Sequence, residues 1–84
     1  KHISKNFKFP EMARQMGIQG KVYVNFVIER DGSISNVTIA RGVDKLLDDE
    51  AIRTVKTLPK FQPAKQRGKS VRMQYTVPIN AKLQ

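Results

Sequence analysis

Eighty-four residues suffice for one compact domain and are too few for two, and the absence of cysteine excludes a disulfide framework and a thiolate metal site. Sixteen Lys and Arg against seven Asp and Glu leave a net charge of +9, which suits an acidic partner or an anionic surface. Hydrophobic residues at 39% and charged residues at 27% exclude a chain disordered throughout.

No apolar run approaches the roughly 20 residues that cross a bilayer. The chain opens at Lys1 without a methionine, and the expectation is a fragment whose anchor lies upstream. Residues 1–8 read as the end of a linker, and 9–84 as the domain. Pro10 has its favoured place in the first turn of a helix, Glu11 complements the helix dipole, Ala13 and Met16 share a face, and Gly17 stops it.

From Gly20, Val22, Val24, Phe26 and Ile28 alternate with Lys21, Tyr23, Asn25, Val27 and Glu29, the period of a strand with one buried face. Asp31-Gly32 is a hairpin signal. The return strand runs from Ser33 to Ala40, and the slip between Ile34 and Val37 predicts a bulge near Ser35-Asn36. Leu46 to Leu58 takes helical spacing, with Leu47, Ala51, Val55 and Leu58 in one stripe and Ile52 beside it. Pro59 closes this helix, and Lys60 to Gly68 reads as a basic loop anchored by Phe61.

From Lys69 to Leu83 the odd positions Val71, Met73, Tyr75, Val77, Ile79, Ala81 and Leu83 are apolar, and all even positions but Pro78 are polar. This is the clearest period of two in the chain. The fold class is therefore α+β, two helices packed on one face of a three-stranded antiparallel sheet, in the order α-β-β-α-β. A last strand that pairs on one side only is an edge strand. Pro78 fits an edge, since a residue without N–H is excluded from central positions. An open edge can accept a strand of another chain, and four to six such bonds at ~0.5–1.5 kcal/mol each point to roughly micromolar affinity after association entropy.

The ordered pattern Phe9-Pro10, Ala13, Gly17-Ile18-x-Gly20-x-Val22, Asp31-Gly32, Val37, Ala51-Ile52, Phe61-x-Pro63, Gly68 and Val77-Pro78-Ile79 closely resembles the TonB C-terminal domain family, and the stretch Leu46-Leu47-Asp48-Asp49-Glu50-Ala51 and the loop Lys65-Gln66-Arg67-Gly68-Lys69 look most like the versions of Bacteroidetes-type bacteria. The likeness runs from about Phe9 to Leu83. It implies a periplasmic domain held by a linker to an inner-membrane helix and working with an ExbB–ExbD-type motor. It also implies capture of the TonB box of an outer-membrane transporter as a strand added beside the last one. The residues that match that strand are Val71, Arg72, Met73, Gln74, Tyr75, Thr76, Val77, Pro78 and Ile79. Where the enteric pattern has a glutamine before the Tyr-Pro of the first helix, this chain reads Asn6-Phe7-Lys8-Phe9-Pro10, which makes Asn6 the candidate amide for that contact.

Lys65, Arg67 and Lys69 are further candidate contacts, weighed against a plain solvated loop. His2 is the sole histidine and reads as linker, not as a metal ligand or general base. Asp48, Asp49 and Glu50 suit the start of a helix better than acid-base chemistry. No nucleophile with a supporting base and no phosphate-cradling glycine loop is present, so neither an enzyme nor a cofactor is expected. Asn36-Val37-Thr38 reads as strand, not as a glycosylation site. Tyr23, Asn25 and Val27 read as plainly exposed on the face away from the helices, with a weak homodimer as the sharper alternative. The rival class is a small nucleic-acid-binding module, motivated by the charge and by Tyr23 and Tyr75, although the basic residues do not alternate with stacking aromatics. A closer rival is the same domain appended to a membrane sensor or peptidase.

Overall fold

The computed structural model describes residues 6–59 and 64–83, with the backbone alone of 64–66. Helix α1 (Glu11–Gln15) follows Pro10, whose φ of −61° and ψ of 137° make it the residue before the first turn. Gly17 ends it at φ +70°, with its amide bonded to Arg14 O and that of Ile18 bonded to Ala13 O. These two bonds are the Schellman closure that favours glycine at this position. Strand β1 (Gly20–Ile28) and strand β2 (Ile34–Arg41) then form an antiparallel hairpin.

Its turn is one residue longer than Asp31-Gly32 alone suggests. Gly32 N donates to Glu29 O, Glu29 N donates to Ser33 O, and Gly32 lies at φ +89°. Three loop residues ending in a left-handed glycine make a type I turn with a bulge, and Asp31 Oδ1 stabilises it by accepting from Ser33 N and Oγ. The expected bulge is present: Asn25 faces Thr38 but Val27 faces Ser35, and Asn36 takes φ +50°. A second slip, between Tyr23 and Val24, leaves no trace in the apolar pattern.

Helix α2 (Lys45–Lys56) begins at Asp44, whose carboxylate accepts from the Leu46 amide at 3.0 Å. It buries Leu47, Ala51, Thr54 and Val55, and Thr54 satisfies its hydroxyl by donating to Glu50 O. Leu58 packs at the edge of this cluster. The core brings these side chains together with Ala13, Val22, Val24, Phe26, Ile28, Ile79 and Ala81. Both helices cover the even-numbered face of β1.

The segment 69–83 is divided. Strand β3 (Ala64–Gln66) and strand β4 (Lys69–Val71) form a two-residue hairpin with Arg67 and Gly68 both at positive φ, and strand β5 (Met73–Ala81) starts after Arg72. The end of the expected basic loop is thus a small second sheet. Phe61, Lys60, Pro63 and the 1–5 segment with His2 lie outside the described residues. The main sheet has the order β2-β1-β5, with β1 central. The molecule is elongated, 50 × 21 × 15 Å, with a radius of gyration of 14.2 Å against about 12 Å for a rounded chain of this length.

Candidate functional site: the outer edge of the last strand

β5 pairs with β1 in unbroken register from Gly20↔Ala81 to Ile28↔Met73. Among the described residues no strand lies on its other flank. Opposed residues in an antiparallel ladder alternate between pairs that exchange both backbone hydrogen bonds and pairs that exchange none. Pro78 has no N–H, so Tyr23↔Pro78 must be a pair of the second kind. Parity follows along the strand. Met73, Tyr75, Val77, Ile79 and Ala81 bond to β1, whereas Gln74, Thr76 and Asn80 aim N–H and C=O at the open flank. The β3/β4 hairpin has the same parity, because Gln66↔Lys69 closes a two-residue turn and therefore exchanges both bonds.

The side chains divide by face. Val22↔Ile79, Val24↔Val77, Phe26↔Tyr75 and Ile28↔Met73 stand on the helix side. Ile79 and Ala81 are buried there, Val77 is half-buried, and Met73 and Tyr75 remain 39% and 42% exposed. Tyr75 stacks on Phe26 with centroids 6.1 Å apart. On the opposite face Thr76 Oγ1 donates to Asn25 Oδ1, and Gln74 faces Val27.

Arg72, at the break between β4 and β5, is committed to an ion pair: its Nε donates to Glu29 Oε1 at 2.8 Å and its second nitrogen to Oε2 at 3.2 Å. Ser35 Oγ donates to the same carboxylate. The Arg72 hydrogen bond, then the Ser35 bond and the Arg72 charge hold Glu29 below the usual carboxylate range, against desolvation and Asp31. This clamp ties the strand break to the β1/β2 hairpin. Sequence reading missed it, because 43 residues separate its partners and no local spacing joins them.

The other candidates are scattered. Asn6 is held on α2, where its carbonyl accepts from Arg53, and α2 packs chiefly over β1 and β2. Lys8 N donates to Glu50 Oε2 at 2.8 Å. Arg67 and Lys69 sit exposed on the separate β3/β4 hairpin, and the Lys65 side chain lies outside the described residues. Tyr23 and Asn25 are half-buried and Val27 is 9% exposed, so the expected plain exposure of that trio is not what the fold provides. Tyr23 and Tyr75 stand on opposite sheet faces and do not form one stacking platform.

Residues 5–83 match the family model described as Gram-negative bacterial TonB protein C-terminal. The chain belongs to this TonB C-terminal family. It is 34% identical over 68 residues to Protein TonB of Pseudomonas aeruginosa, covering 81% of this chain and 20% of that protein. To Protein TonB of Helicobacter pylori strain J99 it is 31% identical over 62 residues, covering 73% and 22%. The chain thus spans about a fifth of the length of these curated relatives. A solution structure of Helicobacter pylori TonB-CTD superposes with a TM-score of 0.65 at 25% identity, over 99% of this chain and 89% of that one. A longer form of the same TonB-CTD gives 0.66 at 24%. The TonB-family fold and the α+β reading of the sequence therefore agree.

Proposed function

We propose that this chain is the periplasmic partner-capturing domain of a TonB-type energy transducer, and that it binds the TonB box of an outer-membrane transporter by strand addition along β5. The observation that carries the reading is that β5 pairs on one side only among the described residues, with the backbone groups of Gln74 and Thr76 directed at the other flank. The family membership supports the transducer role, with an ExbB–ExbD-type motor acting through an inner-membrane anchor upstream. A bond count of four to six fits a contact that is made and released repeatedly, at roughly micromolar affinity.

Gln74→Pro tests this reading. It removes an outward donor and none of the bonds to β1, so a TonB-box peptide should lose binding while the β1 amides keep their protection from exchange. Unchanged peptide affinity in a folded Gln74→Pro chain would refute strand addition here.

A further inference from the structure

The open flank of β5 is not uniform. Its outward-facing positions are Gln74, Thr76, Pro78 and Asn80, and three of the four offer both a donor and an acceptor. Pro78 offers only its carbonyl. A strand lying across it would hold a carbonyl opposite a ring nitrogen that cannot donate, in a place where the added backbone has already shed water. Such an orphaned acceptor is disfavoured more than a bond merely not made. The same argument holds for an antiparallel or a parallel arrival, because in both the missing N–H belongs to β5.

We propose that Pro78 sets the register of the incoming strand, confining its hydrogen-bonded contact to the stretch from Arg72 to Thr76. This rests on the strand-capture reading and adds to it a residue that determines specificity. For an antiparallel arrival, partner residues facing Gln74 and Thr76 form the fully bonded pairs. The residue between them faces Tyr75 in a non-bonded pair, where side chains approach most closely. That position lies on the side of the Phe26–Tyr75 stack and of Met73, apolar surface that the helices leave uncovered. The edge therefore selects an extended peptide with an apolar side chain at this central position and polar ones beside it.

The test is an amide titration of the isotope-labelled chain with a synthetic TonB-box peptide, in the native protein and in Pro78→Ala. In the native chain the Gln74 and Thr76 amides should shift and the Asn80 amide, beyond the proline, should stay in place. In Pro78→Ala the new amide and that of Asn80 should shift as well, and binding should tighten by about three- to tenfold, the worth of one restored bond. The substituted nitrogen faces away from β1, so Val77 and Ile79 should keep their exchange protection. A native Asn80 amide that shifts as far as Thr76, or a Pro78→Ala chain with unchanged span and affinity, overturns the register proposal while strand capture stands. Peptide binding with no change at any β5 amide overturns strand capture itself, and the register proposal with it.

Discussion

At Gly17 the backbone takes φ +70° with open space where a side chain would begin, so sterics against neighbours are not the issue and the backbone conformation is. Gly17→Ala should lower the unfolding free energy by about 1 kcal/mol, read by urea denaturation, because a β-carbon strains the left-handed conformation. Glu50 presents a different kind of dependence. Its side chain is 14% exposed and accepts from Arg53 and from Lys8 N, and the Arg53 bond above all holds its carboxyl below the usual range. A carboxylate whose folded pKa is depressed contributes stability present above its unfolded pKa, and loses it as the pH falls through the folded value. Urea midpoints measured at falling pH should therefore drop below the ordinary carboxylate range in the native chain. The drop should be shallower in Glu50→Gln, whose starting stability is lower. The stop at Gly17 is readable from local sequence, whereas the grip of Glu50 on Lys8 spans 42 residues and is not.

Among the elements, β5 carries the sharpest contrast between adjacent positions. Tyr75 N–H faces β1 and Gln74 N–H faces away, so prolines at the two positions should act oppositely. Tyr75→Pro should cost about 1–3 kcal/mol of folding stability through the acceptor it orphans on β1, with thermal unfolding as the readout. Gln74→Pro should leave the unfolding midpoint close to native. The alternation of β1 and β5 and the slip in β2 were legible because a period of two and its interruption are local signals. The β3/β4 hairpin was not. Arg67 is not a residue that advertises positive φ, and a three-residue strand is too short to show a period.

For the whole molecule, the core lies between α1, α2, the even-numbered face of β1 and the C-terminal half of β5, and β3/β4 stands apart with its main contacts internal. Stability should follow that geometry. Leu47→Ala, at a fully buried site, should destabilise the domain by about 2–5 kcal/mol. In native-state hydrogen exchange the Val22 and Val24 amides should open only with global unfolding, whereas Lys69 should exchange through local opening at far lower free energy. Equal protection in the two regions would show that the hairpin is bound into the same cooperative unit.

Periodicity, turn residues and the placement of one proline were enough to determine an α+β domain whose last strand lies at an edge, since each depends on neighbours within a few residues. Which flank of that strand is open, and so which amides can meet another chain, was decided only by the pairing with β1. That pairing unites residues 45 (Ile28 and Met73) to 61 (Gly20 and Ala81) positions apart, and no local pattern encodes its direction. The same holds for the clamp between Arg72 and Glu29. Contacts of this range arise when hydrophobic faces are buried together, and only the assembled sheet displays them.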